Sequence, residues 1–373
     1  MALVQGARVL VTGAFGFIGS NLAVRLQELG VEVLAFGRQH GEDDLASMVA
    51  QADAVIHLAG ENRPADASAF ERVNVGLTQL LCNLLSAQQR RIPLIFSSSA
   101  QAEAQNPYGQ SKLAAEAASQ QLAVESPCPV AIYRLPGIFG KWCKPNYNSV
   151  VATFCHNIAN DLPIQIHDAG AEVRLVYVDD LVDEFIARLS RGWDGLEWGT
   201  VAPEYVVTLG ELAQRLNEFK QSRSNLMSGR VGGGLDRALY STYISYLPAE
   251  KFSYALPVYT DERGSFVEML KTPDSGQFSF FTVHPGVTRG SHYHHTKTEK
   301  FLVIRGKASL RFRQLLTGER HELILTADRP QVVDTIPGWV HDITNVGDEE
   351  VVVMLWANEI FDRARPDCVP QKV

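Results

Sequence analysis

Short apolar runs alternate with helical patterns through the first half of the chain. The runs read as buried strands, and the segment after the first of them, which ends near Leu29, has a helical pattern. The strand-like runs are ARVLVTG, VEVLAF, AVIHLAG, PLIFSSS and VAIYRLP. Strands that alternate with helices are typical of a parallel sheet with helices on both faces. We therefore predict an α/β doubly wound parallel sheet for this half.

The pattern changes in the second half. The segment TLGELAQRLNEF, after Val206, is helical in pattern and continues the first domain. The stretch QSRSNLMSGRVGGGLD that follows has the glycine and serine content of a loop or boundary. From about Phe252 short strands and turns follow one another at even spacing, which predicts an all-β barrel or jelly roll. We predict two domains, residues 1–245 and 246–373.

Composition and charge narrow the class of protein. A chain of 373 residues is longer than one hydrophobic core usually organises, and its net charge of −8 argues against nucleic acid or an anionic membrane as a general partner. The N-terminal sequence lacks signal-peptide features, and no apolar stretch reaches the roughly 20 residues of a spanning helix. The five cysteines are scattered and form no CxxC pair, as in reducing compartments. We expect a cytoplasmic protein, with a homodimer as the default assembly.

Three glycines stand between the first predicted strand and the first predicted helix. Glycine there lets the turn fold tightly and lets the backbone approach a pyrophosphate at the positive end of the helix dipole. This position in the chain favours a dinucleotide-binding turn over a turn that serves packing alone. The predicted cofactor contacts in the turn are Gly13, Phe15, Gly16, Phe17, Ile18 and Gly19.

The residues at the end of the second predicted strand indicate whether the cofactor is NAD or NADPH. An NAD-preferring site carries an acidic residue there, whereas Arg38 suits the 2′-phosphate of NADPH. We therefore predict NADPH; an ordinary solvated arginine is the alternative. The segment HLAG fits the fourth strand and the loop beside the adenine-ribose half, which makes Leu58, Ala59 and Gly60 predicted cofactor contacts. We expect His57 to be packed rather than reactive.

A serine, a tyrosine and a lysine form a specific constellation for reductase chemistry. Tyr108 and Lys112 lie four residues apart in PYGQSKLAAE and share one helix face, and Ser99 stands just upstream in IFSSS. The Lys112 ammonium and a nicotinamide cation favour the phenolate of Tyr108, which can exchange a proton at a substrate oxygen while hydride moves. Ser99 would hydrogen-bond the same oxygen. We predict that all three are catalytic and that Tyr108 and Lys112 also contact the cofactor.

Four segments carry a family resemblance. TGAFGFIG, HLAG, IFSSS and PYGQSK resemble those of the extended short-chain dehydrogenases/reductases that act on nucleotide sugars, over about residues 1 to 245. The resemblance implies an NAD(P)-binding Rossmann fold. It also gives Arg174, in EVRLVYVDDLV, the task of holding the nucleotide pyrophosphate. The alternative for Arg174 is a surface ion pair with Asp179 or Asp180.

The chain departs from that family between Ser99 and Tyr108. Only eight residues separate the two, where relatives usually carry a longer loop over the substrate. The usual contacts to the sugar are therefore expected to come from elsewhere. Asn74, on its helix, and Asn148, in KWCKPNYNS, are the predicted replacements.

The second domain contains histidines with the spacing Gx5HxHx4Ex6G, followed later by PGWVHDITN. His292 and His294 lie two apart on one predicted strand and point to the same face, and Glu299 follows on the next strand. With His341 they are predicted to converge inside a barrel and bind a divalent metal, for which we predict zinc, with open positions for a ligand. The alternatives are a structural zinc and histidines that only line the barrel.

This spacing resembles the first motif of the cupin superfamily, over about residues 252 to 373, and implies a jelly-roll barrel. DERGSFVE and GVTRGSHYH are also similar to dTDP-sugar 3,5-epimerases, metal-free cupins in which the histidine at the position of His292 acts as a base. Those enzymes lack the second histidine. The presence of His294, Glu299 and His341 therefore favours His292 as a metal ligand.

The pairing of the two domains, with KWCKPNYNSV and the linker RALYSTYISYLP, resembles enzymes of capsule and O-antigen biosynthesis over essentially the whole chain. This implies as substrate a UDP-linked 4-keto amino sugar, UDP-2-acetamido-2,6-dideoxy-L-arabino-hexos-4-ulose. It also implies inversion at C3 and reduction at C4 by NADPH to UDP-N-acetyl-6-deoxy-L-talosamine, a precursor of UDP-N-acetyl-L-fucosamine. Epimerisation must come first, because the C3 proton is acidic only while C4 is a carbonyl. The alternative is a redox-neutral nucleotide-sugar epimerase or dehydratase whose zinc-binding cupin serves dimerisation without catalysis.

Overall fold

The chain folds into two compact units. The computed structural model describes residues 5–64, 66, 68–257, 259–261, 264–266, 270, 276–359 and 364–373. The first unit comprises residues 1–149 and 173–206, and the second comprises residues 150–172 and 207–373. The domain division at 245/246 stays a prediction. By packing, the helical segments 150–172 and 207–245 group with the second unit.

A parallel sheet forms the centre of the first unit. Its strands are β1 (Arg8–Thr12), β2 (Glu32–Phe36), β3 (Ala54–His57), β4 (Leu94–Ser99), β5 (Val130–Leu135) and β8 (Leu196–Gly199). Their order is β2-β1-β3-β4-β5-β8, with every neighbouring pair parallel. Val9, Leu10 and Val11 are all buried, as expected of a strand covered on both faces. The predicted doubly wound sheet is confirmed.

The remaining strands of this half form a second, three-stranded sheet. They are β6 (Gly137–Phe139), β7 (Glu172–Tyr177) and β9 (Tyr205–Thr208), in the order β6-β7-β9. The helices of the first unit are α1 (Phe17–Glu28), α2 (Glu42–Gln51), α3 (Leu77–Ala87), α4 (Pro107–Glu125) and α6 (Val178–Arg191), and a π-helical turn, Phe70–Gly76, precedes α3.

The start of α4 is fixed by its own sequence. The Asn106 side chain accepts a hydrogen bond from the Gly109 amide at 2.8 Å, and Pro107 occupies the first turn, where its missing N–H costs nothing. Tyr108 lies in this first turn. The cap therefore fixes the start of α4, and with it the position of Tyr108, the predicted catalytic tyrosine.

Over the residues described, the second unit combines three α-helices with two five-stranded antiparallel sheets and one two-stranded sheet. Its helices are α5 (Val150–Ala159), α7 (Leu209–Asn225) and α8 (Gly234–Ile244), with a 3-10 turn at Ala249–Lys251. Its strands are β10 (Ser253–Ala255), β11 (Tyr259–Asp261), β12 (Gly264–Phe266), β13 (Gln277–Val283), β14 (Thr288–Tyr293), β15 (Glu299–Arg305), β16 (Lys307–Gln314), β17 (Arg320–Thr326), β18 (Gln331–Asp334), β19 (Trp339–Asn345), β20 (Val351–Ala357) and β21 (Val369–Pro370). The sheets are β10-β18-β15-β20-β13 and β17-β16-β19-β14-β21, and β11 pairs with β12. The prediction of an all-β C-terminal part is confirmed.

A buried charge network joins α7 to the first of these sheets. Asp334 of β18 accepts a hydrogen bond from Lys300 of β15 at 2.6 Å and pairs with Arg223 of α7. Both sheet residues are 2% exposed, and the charges compensate one another. The network is thus one of the contacts that tie α7 to the β-rich part of this unit.

Four expectations about local structure need correction or lie partly outside the described residues. The stretch QSRSNLMSGRVGGGLD is not all loop, because α7 extends to Asn225 and α8 begins at Gly234. The supposed linker RALYSTYISYLP is largely this buried helix. HLAG begins on the last residue of the third strand of the chain, β3, and not on the fourth strand. Part of DERGSFVE lies outside the described residues.

None of the described helices is both long and apolar enough to cross a membrane.

Candidate active site and metal centre

The turn between β1 and α1 has the shape that a dinucleotide needs. Gly13 has a φ of +69°, and a Cβ there would lie 2.8 Å from the Ala59 amide nitrogen. A Cβ on Gly19 would lie 2.1 Å from the Gly13 carbonyl oxygen. Gly16 caps α1 without a side-chain hydrogen bond, which leaves the first amides of the helix available to an anion. The turn therefore fits a pyrophosphate.

The other predicted cofactor contacts border this turn. Phe17 and Ile18 open α1, and the exposed Phe15 ring lies against Gly37, where a Cβ would meet it at 2.4 Å. The amides of Leu58 and Ala59 each donate to the Thr12 hydroxyl at 3.2 Å. A Cβ on Gly60 would lie 3.2 Å from the Lys112 Nζ atom. The structure thus brings these predicted residues together with the lysine of the reductase constellation.

Arg38 lies at the surface beside the end of β2. Its side chain is 87% exposed and forms an ion pair with Glu61. Exposed pairs of this kind contribute little to stability, about 0–1 kcal/mol. The guanidinium is therefore available to an incoming phosphate, which competes with Glu61 for it.

The predicted catalytic residues converge at the carboxyl end of β4. Ser99 ends the strand, and it makes a hydrogen bond with Tyr108 that partly offsets the effect of burial. Burial raises the pKa of Tyr108, so the phenol is protonated at neutral pH. Lys112 donates to the Ser97 carbonyl at 3.2 Å, and burial lowers its pKa to about 8, against the opposing charge of Glu116. The site thus holds a proton donor beside an ammonium that is still charged at pH 7.

Sequence reasoning missed the carboxylate behind Lys112. Glu116 is fully buried and lies one helical turn after Lys112 on α4. It accepts hydrogen bonds from Ser98 at 2.5 Å and from Arg134 at 2.9 and 2.8 Å. Tyr108, Lys112 and Glu116 stand at positions i, i+4 and i+8 of one helix and so share a face. This spacing is the feature of the sequence that could have indicated Glu116.

Two buried side chains, those of His57 and Asn74, hold the loop after β3 in place. This loop, residues 58–61, is called the cofactor loop. Both ring nitrogens of His57 are hydrogen-bonded, to Thr12 Oγ1 at 2.6 Å and to Thr78 Oγ1 at 2.8 Å. Burial, with the Lys112 charge, lowers the His57 pKa to about 3, so the imidazole is neutral. Asn74 accepts from the Glu61 amide at 2.8 Å, and its two N–H groups donate to the Glu61 carbonyl at 3.1 Å and to Ser111 at 2.9 Å. Both donors of Asn74 are therefore engaged within the protein, and its contact with a substrate stays a prediction.

The other two predicted substrate residues lie at exposed positions. Arg174 is 70% exposed and pairs with Glu204, a partner that the sequence did not indicate. Asp179, one of its two expected partners, instead accepts a hydrogen bond from the buried Lys141 at 2.6 Å. Asn148 is exposed in the segment before α5. Contacts of Arg174 and Asn148 with a substrate stay predictions.

The four predicted metal ligands come together in the second unit. Their candidate ligand atoms, on His292, His294, Glu299 and His341, all lie within 4.8 Å of one another. Glu299 Oε2 lies 3.2 Å from His294 Nε2 and 3.6 Å from His341 Nε2. The ligands come from β14, the segment after it, β15 and β19. A bulge between Gly290 and His292 locally shifts the register of β14.

The donor set fits a divalent metal. His341 is 1% exposed, and neither of its ring nitrogens has a hydrogen-bond partner among the described residues. Burial, followed by the neighbouring His341 and His294, lowers the pKa of His292 to about 3. Burial alone would raise the pKa of Glu299, but the histidines hold it well below its usual range. A neutral His292 imidazole beside the ionised Glu299 carboxylate matches the protonation states that metal binding requires.

Two family matches cover most of the chain. Residues 9–197 match the NAD dependent epimerase/dehydratase family, and residues 259–369 match the polysaccharide biosynthesis C-terminal domain. The first match includes the glycine turn and the Ser99, Tyr108 and Lys112 constellation. The second includes the four clustered ligands.

Similar proteins span the full chain. The UDP-2-acetamido-2,6-beta-L-arabino-hexul-4-ose reductase of Pseudomonas aeruginosa is 54% identical over 96% of this chain and 97% of its own. The crystal structure of the capsular polysaccharide assembling protein CapF from Staphylococcus aureus is 43% identical, covers 98% of this chain and 100% of its own, and has a TM-score of 0.66. The Bordetella bronchiseptica enzyme WbmF with NAD+ shares the fold alone, at 22% identity and a TM-score of 0.52 over 58% of this chain and 79% of its own. The chain therefore belongs to the NAD dependent epimerase/dehydratase family, and it is similar along its whole length to this reductase and to CapF.

Proposed function

We propose that this chain is a bifunctional nucleotide-sugar enzyme. Its second unit inverts C3 of UDP-2-acetamido-2,6-dideoxy-L-arabino-hexos-4-ulose, and its first unit then reduces C4 with NADPH to UDP-N-acetyl-6-deoxy-L-talosamine. The observation that carries the proposal is the presence of a Ser-Tyr-Lys constellation and a His3Glu cluster in one chain. The name of the P. aeruginosa relative supports the 4-keto sugar as the substrate.

The reduction needs a proton donor at the C4 oxygen. When bound, NADPH supplies the hydride. Tyr108 donates the proton, for which its raised pKa suits it, and Ser99 holds the same oxygen by a hydrogen bond. The Lys112 ammonium then stabilises the phenolate that Tyr108 becomes. These three residues account for reduction of a carbonyl without further groups from the protein.

The epimerisation needs a polarised carbonyl. His292, His294, Glu299 and His341 would hold a divalent metal, for which zinc is our choice because imidazole and carboxylate suit it. When bound, a metal would supply a Lewis acid for that carbonyl. Since the C3 proton is acidic only beside a carbonyl, inversion precedes reduction.

Further residues are assigned to binding. Arg38 takes the 2′-phosphate of NADPH, and Arg174 takes the pyrophosphate of the UDP-sugar in exchange for Glu204. Asn148 contributes to the sugar site. A cytoplasmic homodimer without nucleic acid or membrane partners completes the proposal, in line with the acidic composition.

One experiment tests both halves. The purified chain is incubated with the UDP-4-keto sugar in deuterium oxide, with and without NADPH, and the products are examined by NMR and mass spectrometry. We expect deuterium at C3 in both reactions and a C4 hydroxyl only with NADPH. Oxidation of NADPH without deuterium at C3 refutes the epimerase half. Deuterium at C3 without loss of NADPH absorbance refutes the reductase half.

A further inference from the structure

The end of the chain returns to the segment that carries two of the clustered histidines. Strand β21 pairs with β14 so that Pro370 lies opposite His292 and Val369 opposite Tyr293. The Gln371 amide also donates to the Ser291 carbonyl at 2.9 Å. The last residues therefore form an edge strand beside the cluster.

Asp367, just before this strand, organises the loop between His294 and Glu299. Its carboxylate accepts hydrogen bonds from three successive amides, those of His295 at 2.9 Å and of Thr296 and Lys297 at 2.7 Å each. The Thr296 hydroxyl donates to the same carboxylate at 3.1 Å. Charge-assisted bonds of this kind are about twice as strong as neutral ones. One side chain thus fixes the whole loop that connects two candidate ligands.

The main chain of Asp367 acts on the histidine itself. Its carbonyl oxygen accepts a hydrogen bond from Nδ1 of His294. With the proton on Nδ1, the lone pair lies on Nε2, the atom 3.2 Å from Glu299 Oε2. The same residue therefore sets both the position of the loop and the tautomer of the ring.

We propose that Asp367 is a positioning residue of the metal centre and that the C-terminal segment is an integral part of that centre. The inference rests on the metal binding proposed above. A metal-ligating histidine generally needs an acceptor for its other ring nitrogen, and loss of such support costs about 10–100-fold in metal affinity. Here the carbonyl that accepts from His294 and the carboxylate that holds the loop both belong to Asp367. This residue lies 73 positions after His294 in the chain.

The test measures zinc binding by the full chain. Zinc stoichiometry and affinity are compared, by competition with a chromophoric chelator, for the wild type, Asp367→Asn and Asp328→Asn, an exposed control. Asp367→Asn removes the charge that the three amides share but keeps the size of the side chain. We expect one zinc per wild-type chain, about 10–100-fold weaker binding by Asp367→Asn, and no change in Asp328→Asn.

Unfolding without zinc separates positioning from general stability. The zinc-dependent rise in the unfolding temperature should shrink in Asp367→Asn, because the rise reports affinity for the folded state. NADPH binding, which is assigned to the first unit, checks that this unit is unchanged, and the unfolding temperature without zinc checks the second unit. Equal zinc affinity in Asp367→Asn and wild type overturns the role of Asp367. Absence of zinc binding by the wild type instead overturns the proposed metal centre.

Discussion

Arg134 donates two hydrogen bonds to the carboxylate of Glu116, from Nε to Oε1 at 2.9 Å and from Nη2 to Oε2 at 2.8 Å. Glu116 has no exposed surface, and its charge acts on Lys112 one turn earlier in α4. Burial lowers the pKa of Lys112 to about 8, and the Glu116 carboxylate opposes that effect. The Glu116 carboxylate, held by Arg134, therefore favours the charged form of Lys112.

The first prediction concerns the pH dependence of reduction. In the free enzyme, kcat/KM should be maintained below about pH 8 and fall above it, as Lys112 loses the proton that stabilises the Tyr108 phenolate. In Glu116→Gln the opposing charge is gone, so the pKa of Lys112 falls further and the alkaline loss begins at lower pH. The profiles are measured from NADPH oxidation, with Glu125→Gln, an exposed change on the same helix, as the control. Superimposable profiles for Glu116→Gln and wild type would contradict the role of Glu116.

The second prediction concerns the stability cost of Lys112. Because its folded pKa, about 8, lies below the ordinary 10.5, the unfolded chain binds more protons between these pH values, and stability rises with pH across that window. At pH 7 the buried charge costs on the order of 3 kcal/mol. Lys112→Met should therefore abolish reduction yet stabilise the first unit by about 2 kcal/mol, after loss of the hydrogen bond to Ser97.

Denaturant unfolding without cofactor at pH 7 and pH 10 checks this expectation. The gain in Lys112→Met should be largest at pH 7 and should shrink by pH 10, where the wild-type lysine is already neutral in the fold. A variant less stable than wild type at pH 7 would show that packing and hydrogen bonding of Lys112 outweigh its desolvation.

Features with a local sequence period could be predicted, and features made by distant segments could not. The glycine turn and the Tyr108 and Lys112 pair were found because their spacing fixes their geometry. The partners of Arg174 and Glu116 were not found, because Glu204 and Arg134 lie 30 and 18 residues away and meet them only through tertiary packing.

The exact ends of loops and the hydrogen-bond partners of polar side chains depend on burial, which amino-acid composition does not give. Gly229, Gly232 and Gly233 do lie between the helices, but the predicted loop is too long at both ends, since α7 extends to Asn225 and α8, buried from Ala238 to Ile244, begins at Gly234. Asn74 is predicted from the sequence to contact the sugar, and its hydrogen bonds to Glu61 and Ser111 could not be read from the sequence. A single sequence does not reveal which polar atoms will be hydrogen-bonded within the folded protein.

The third prediction concerns cofactor choice. Arg38→Ala should lower kcat/KM with NADPH by about 10–100-fold, the effect of one charged hydrogen-bond donor worth 1.5–3 kcal/mol, and leave the NADH reaction nearly unchanged. The loss of the ion pair with Glu61 is of little consequence to folding, because Arg38 is so exposed. Arg191→Ala, which removes an exposed arginine of α6, is the matched control. Equal losses with both cofactors would contradict the assignment of Arg38 to the 2′-phosphate.

The last prediction separates the two activities. His294→Ala removes a candidate ligand that also touches Glu299 and Asp367, so the chain should lose bound metal and the exchange of deuterium into C3. Reduction should persist, because Tyr108 and its partners lie in the first unit. The expected product is a C4 alcohol with C3 not inverted, identified by NMR.

His284→Ala provides the matched control for that experiment. His284 belongs to the same unit, but its side chain is 80% exposed and it pairs with Glu350 at the surface, so its loss should change neither metal content nor exchange. Chelation of the wild type should reproduce the His294→Ala result if the metal is what C3 inversion requires. If His294→Ala loses its metal and still incorporates deuterium at C3, the cluster has a structural role and the base and carbonyl contacts for inversion lie elsewhere. If it loses reduction together with exchange, the two activities are not separable, and the assignment of one reaction to each unit is wrong.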